Sequence, residues 1–139
     1  MIVLDTNVLS EALRPLPSPI VMHWLAAQEP SSVFTTAIAQ AEVLYGVETL
    51  PAGRRRLRLL AAVEKMFAEE FAGRILPFDE DAARAFATIV AARDRAGRPM
   101  SQLDAMIAAI VRSHRAAVAT RNTADFQGRG IEVINPWID

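Results

Sequence analysis

Short apolar runs alternate along this chain with longer stretches whose apolar residues recur every three or four positions. Ile2–Leu4, Val33–Thr35, Ile75–Phe78, Ala117–Thr120 and a last run near Glu132–Ile134 predict buried strands. The stretches between them predict helices. Asn7–Arg14 stops at Pro15 and Pro17, which a helix interior does not tolerate. Ser18 is a favourable N-cap with Pro19 at the first helical position, so a helix runs to about Gln28, ahead of Pro30. Thr36 caps a helix over Ala37–Leu50, which Pro51-Ala52-Gly53 interrupts. Leu57, Leu60, Val63, Phe67 and Phe71 form one apolar stripe along Arg54–Ala72, with Gly73 as its stop. Asp79 caps a helix to about Ala96, and Ser101 caps another to about His114. Asp125-Phe126 falls in a turn before the last strand. This alternation predicts an α/β fold with a mostly parallel sheet, and a chain of 139 residues suits a single domain.

Composition removes several chemistries. There is no cysteine, which excludes a disulfide scaffold, an iron–sulfur cluster, a thiolate zinc site and a cysteine nucleophile. The two histidines, His23 and His114, are too isolated for a histidine-rich metal site. With 52% apolar and 22% charged residues, the chain can bury a core and is not of the disordered class. The net charge is −1, so any contact with nucleic acid must be local. All basic residues except Lys65 are arginines, the side chain suited to bidentate phosphate contacts. The longest wholly apolar run, Ala105–Val111, is far short of the ~20 residues that span a bilayer. The opening Met-Ile-Val-Leu meets Asp5 at once, unlike a signal peptide, so the cytoplasm is the expected location. No dinucleotide fingerprint, phosphate-binding Walker loop or serine elbow occurs.

Open parallel sheets bind ligands beyond the carboxyl ends of their strands. Asp5 directly follows the first strand, Glu42 sits near the second turn of the helix after the second, Asp104 is in the first turn after Ser101, and Asp125 follows the fourth strand. Converging on one sheet edge, these carboxylates would repel one another unless a cation lay among them. Hard oxygen ligands select Mg²⁺ or Mn²⁺, and such an ion can activate water against a phosphodiester. Each acid also has a plainer explanation. Asp5 can cap a helix, Glu42 can be a solvated helix residue, Ser101-x-x-Asp104 is close to a capping box, and Asp125 can hold a turn.

Four segments carry a specific resemblance. Ile2-Val3-Leu4-Asp5-Thr6-Asn7, Glu42-x-x-Tyr45-Gly46, Leu103-Asp104-Ala105-x-Ile107-Ala108-Ala109 and Ala119-Thr120-Arg121-Asn122-x-x-Asp125-Phe126 occur in an order and spacing that resemble the PIN domain. The chain is most similar to VapC-type toxins of the FitB-like branch, over essentially its whole length. The resemblance implies a PIN-like fold over 1–139, with a five-stranded, mostly parallel sheet flanked by helices on both faces. It implies a metal-dependent ribonuclease that leaves a 5′-phosphate and a 3′-hydroxyl, and a small antitoxin as partner. It puts the metal-binding acids on Asp5 and Asp104 and a third acid on Glu42, with Asp125 completing the catalytic set. Asn7 and Thr120 match polar supports. Many members carry aspartate where this chain has Asn122, which can position water but has no charge, so the resemblance supports the first metal position and leaves one versus two ions open.

Three functions are therefore weighed. The leading one is a Mg²⁺-dependent endoribonuclease toxin. The alternative is a non-catalytic or weakly catalytic subunit of an antitoxin–DNA-binding regulatory complex, touching DNA only through the antitoxin. A phosphoryl-transfer enzyme with an aspartate nucleophile ranks last, because it would want Asp-x-Asp and a placed lysine. Arg54, Arg55, Arg56 and Arg58 open a helix against its dipole, which suits a phosphate backbone, an acidic partner or a solvated face. Trp24 and Trp137 read as core or rim packing rather than base-stacking platforms.

Broad apolar faces on the helices after Thr36 and Asp79 predict a homodimer, as does the family resemblance. Its interface should bury on the order of 1,200–2,000 Å² in total. Sedimentation at micromolar concentration should show a dimer or larger; a monodisperse monomer would contradict it.

Overall fold

The computed structural model describes residues 1–139. The chain runs β1 (Ile2–Leu4), α1 (Thr6–Ala12), α2 (Pro19–Ala26), β2 (Val33–Thr36), α3 (Ala37–Glu48), α4 (Arg54–Lys65), β3 (Ile75–Leu76), α5 (Glu80–Arg95), α6 (Gln102–Ser113), β4 (Ala117–Ala119), α7 (Thr123–Phe126) and β5 (Glu132–Ile134). The expected caps operate. The side chains of Ser18, Thr36, Asp79 and Ser101 each accept the backbone N–H three residues on, and Asp5 accepts that of Thr6.

All five strands are parallel, in the order β3-β2-β1-β4-β5. From β1 the chain moves outward through β2 to β3, then returns across the sheet to β4 on the other side of β1. With the right-handed crossovers that parallel strands follow as a rule, this order assigns α1–α4 to one face and α5–α7 to the other. The gap beyond the carboxyl ends of β1 and β4 is thus the topological switch point, where such sheets open a crevice. Two ladder bonds continue past the strands there: Asp5 N–H donates to Ala119 at 2.9 Å, and Thr120 N–H donates to Ile134 at 2.9 Å. The first residues beyond β1 and β4 are therefore as fixed as the strands themselves.

The core explains that rigidity. Val3, Leu4, Val118 and Ala119 of the two central strands are buried, and so is the run Ile107–Val111 of α6. An all-apolar run suits a helix covered by the sheet on one side and by α5 on the other.

Four expectations change. Arg54–Ala72 is not one straight helix, because α4 gives way to a wide π-helical turn at Met66–Glu70. The Phe71 N–H reaches back five residues to Met66, at 3.1 Å. That turn buries Met66, Phe67 and Phe71 together, while Leu57, at the other end of the expected stripe, is 67% exposed. Strand β3 ends at Leu76 because Pro77 has no N–H to extend a ladder, and Phe78 instead packs edge-on to Phe86 of α5. Asp125 lies on a short helix, not in a simple turn. Finally, much of the apolar surface expected at an interface is used inside the chain. Val43 and Val47 of α3 and Ile89 of α5 are buried, which leaves Tyr45 and Leu57 as the exposed large residues of α3 and α4.

Candidate active site

Asp5 is buried, with 2% of its surface exposed, at the junction of β1, α1 and β4. Its carboxylate is held from three directions. One oxygen accepts the Thr6 N–H at 2.8 Å; the other accepts the Thr120 hydroxyl at 2.7 Å and the Asn7 amide at 3.3 Å. The Asn7 amide also reaches Thr120 Oγ1 at 3.2 Å, and Asn7 Oδ1 accepts the Arg121 N–H at 3.2 Å. The Asn122 N–H completes the set by donating to Thr120 Oγ1 at 3.0 Å. Asn7 and Thr120 thus clamp the acid through side chains more than a hundred residues apart in sequence.

Burial pushes the Asp5 carboxyl up to about 6. The bonds from Thr120 and Thr6 pull the other way, and the negative charges of Asp104 and Glu42 add to the rise. These three acids line one cleft of about 470 Å³ together with Thr6, Asn7, Ser10, Glu11, Arg14, Arg121, Asn122 and Trp137. Glu42 Oε1 accepts the Thr6 hydroxyl at 2.7 Å, which ties α3 to the start of α1. No three acids or histidines are drawn into a closed metal cage. A divalent ion here would take one or two carboxylates and keep several waters, which is the habit of Mg²⁺. The donor set fits such an ion: it is all oxygen, mutually repelling, and in part desolvated.

Comparison with known proteins identifies the family of the chain. Residues 2–129 match the PIN domain family. The chain is 41% identical over 139 residues to Toxin FitB of Neisseria gonorrhoeae, covering 100% of both. It is 40% identical over 137 residues to VapC ribonuclease Y4jK of Sinorhizobium fredii, covering 99% of this chain and 98% of the relative. A solved structure of FitAB bound to an IR36 DNA fragment superposes with a TM-score of 0.92 at 41% identity, covering 99% of this chain and 96% of that one.

The chain belongs to the PIN-domain family. Of the acids expected to converge in this PIN domain, Asp5, Glu42 and Asp104 do so. Asp125 does not line the cleft. The helical turn of α7 interposes Asn122, whose carbonyl accepts the Asp125 N–H at 3.1 Å, and it is Asn122 that reaches the cleft wall.

Five cleft residues have no assigned role from sequence: Thr6, Ser10, Glu11, Arg14 and Arg121. Three of them, with Asn7, fall at intervals of three, one and three along α1 and its end, a polar stripe opposite Val8 and Leu9. That stripe was visible in the pattern. Glu11 is a structural acid. The Ser18 N–H at 3.0 Å, aided by the Arg14 guanidinium at 3.2 Å, holds its carboxyl below the usual value, so its oxygens are already occupied.

The Asp5 shift makes a pH prediction. In the metal-free protein the folded state holds this proton up to about pH 6, whereas the unfolded chain releases it near 3.8. Asp5 therefore weakens the fold as pH rises through that window and opposes it by on the order of 3 kcal/mol above it. Asp5→Asn cannot titrate. In urea unfolding with chelator present, wild type should gain stability relative to Asp5→Asn as the pH falls from about 7 to about 4. A difference that stays constant with pH would mean the carboxyl is not desolvated.

Proposed function

We infer that this protein is a Mg²⁺-dependent endoribonuclease, with residues 1–139 acting as one PIN-like domain and as the toxin of a type II toxin–antitoxin pair. The observation that carries this reading is the convergence of Asp5, Glu42 and Asp104 on one polar cleft at the sheet's switch point. It is supported by the similarity over the full chain to proteins named as a VapC ribonuclease and as Toxin FitB.

In this reading Asp5 and Asp104 hold the ion, and Mn²⁺ is an acceptable substitute. The ion, when bound, supplies Lewis-acid polarisation of water and of the phosphodiester. Thr6, Thr120 and Asn7 keep Asp5 oriented and ionised, so that no side chain must reorganise when the cation arrives. Glu42, bonded to Thr6 on one oxygen, can take the proton of an attacking water on the other. Asn122 orients water or phosphate at the rim. The expected products are a 5′-phosphate and a 3′-hydroxyl. Asp125 lies on α7, where its backbone N–H bonds the Asn122 carbonyl.

The antitoxin is the second expected partner. An apolar groove of about 690 Å³ between α1, α3 and α4 shares Ser10, Arg14 and Glu42 with the cleft, and Arg55 and Arg58 stand along it. A small antitoxin segment with acidic residues fits that groove and would approach the carboxylates from it. Any DNA contact would then come through the antitoxin. We also assign a homodimer, which brings two cleft faces and both sets of arginines together despite the net charge of −1. No helix is long and apolar enough to cross a membrane, and the proposed place of action is the cytoplasm.

The uncharged Asn122 favours the second reading, a regulatory subunit of an antitoxin–DNA complex with little cleavage of its own. Antitoxin-free protein decides between the two. Wild type should cleave RNA with Mg²⁺ and lose activity with chelator. Asp5→Asn and Asp104→Asn should each lose at least about 100-fold, since loss of a metal ligand exceeds the 10–100-fold typical of its outer supports. The stability of Asp5→Asn should stay within about 1 kcal/mol of wild type at neutral pH, because relief of the buried charge is offset by the Asn7 and Thr120 bonds it disturbs. Full activity in either variant would refute the assignment.

A further test concerns ion count. Asn122→Asp adds a charge at the rim and should raise divalent-ion affinity by calorimetry; unchanged affinity would mean that this position does not face the ion.

A further inference from the structure

Trp137 is the one apolar side chain lining an otherwise polar cleft. The Arg121 guanidinium lies over its ring, 5.0 Å from the centroid. Arg121 has no carboxylate within ion-pair distance, although its charge helps to lower the Glu11 carboxyl. Its backbone is fixed: the Arg121 N–H bonds Asn7 Oδ1, and its neighbour Thr120 bonds Asp5. The ring packs against the hydrophobic core, and the backbone that carries it is tied down: the Trp137 backbone N–H donates at 3.0 Å to Asn135 Oδ1, in the turn that follows β5. The chain therefore holds an unpaired, exposed guanidinium over the face of a half-buried indole, one residue from the clamp on the candidate catalytic acid.

We propose that Arg121 is a substrate-positioning residue that grips a backbone phosphate of single-stranded RNA next to the scissile one, and that Trp137 acts through it by holding the guanidinium plane in place. This rests on the ribonuclease reading. Arginine suits the task because its planar fork bonds phosphate with two N–H groups. A free arginine side chain would lose rotamer freedom on binding; stacking on Trp137 removes much of that loss beforehand. The arrangement also answers a charge problem. A cleft lined by four acids, of which only Glu11 is ion-paired, repels RNA, and an arginine at its rim gives the backbone a local attractive contact that the net charge of −1 does not supply.

The test uses the full-length, antitoxin-free protein and a labelled single-stranded oligoribonucleotide. Affinity is read by anisotropy in chelator, and cleavage is read separately with Mg²⁺. Arg121→Ala should weaken binding and raise KM by about ten-fold with little change in kcat, the signature of lost uniform binding. Its log–log salt dependence should flatten by about 0.7, the value of one phosphate contact on a single strand. Arg121→Lys keeps the charge and should retain the salt slope while losing part of the affinity. Trp137→Ala should raise KM by a few-fold without changing the salt slope, and Trp137→Phe, which keeps an aromatic ring, should restore it. An unchanged KM and salt slope in Arg121→Ala would overturn the assignment, as would a fall in kcat at constant KM. Because Arg121 is exposed, its replacement tests the idea even if Trp137→Ala folds poorly. Wild-type protein that neither binds nor cleaves RNA would overturn the ribonuclease reading itself, an outcome distinct from an unaffected Arg121→Ala in an active enzyme.

Discussion

A carboxylate buried between β1 and β4 needs hydrogen-bond donors, and the way Asp5 obtains them organises the carboxyl end of this sheet. One donor is local, the Thr6 N–H at the start of α1. The others come from Asn7, the second residue of that helix, and from Thr120, which follows β4. An unpaired buried charge would be strongly destabilising, so α1 and the β4 exit must stay in register with each other. The same network aligns Arg121 and Asn122, whose N–H groups close it on Asn7 and Thr120. Even so, burial and the neighbouring acids leave the Asp5 carboxyl at about 6. The fold tolerates an electrostatic burden that a bound cation would relieve.

Charge is distributed by location rather than by total. The cleft gathers Asp5, Glu42 and Asp104, while Arg14 and Arg121 stand on its walls. The adjoining groove is largely apolar and carries Arg55 and Arg58. Arg56, from the same basic run, is spent on Glu48 at 2.6 Å, so the four arginines that open α4 do not act as one patch. Glu11 looks like a fourth cleft acid, yet Ser18 and Arg14 already occupy it. Proximity alone therefore does not make a ligand; free lone pairs do.

Much of this protein is legible in its sequence. The alternation of short apolar runs with capped amphipathic stretches determined the α/β class. Caps such as Ser18, Thr36, Asp79 and Ser101 marked helix starts to within a residue, because they act through bonds only three positions long. The acids at strand ends were found by the same local logic. Tertiary packing decided the rest. The π-helical turn after α4 gathers Met66, Phe67 and Phe71 toward the core on a narrower arc than 3.6 residues per turn would give. Asp125 left the acid cluster because α7 turned Asn122 toward the cleft instead. The Asp5 clamp and the stacking of Arg121 on Trp137 join residues far apart in the chain. Local sequence patterns report only what neighbours along the chain can do for one another, and these contacts depend on strand order and on the register of β1, β4 and β5.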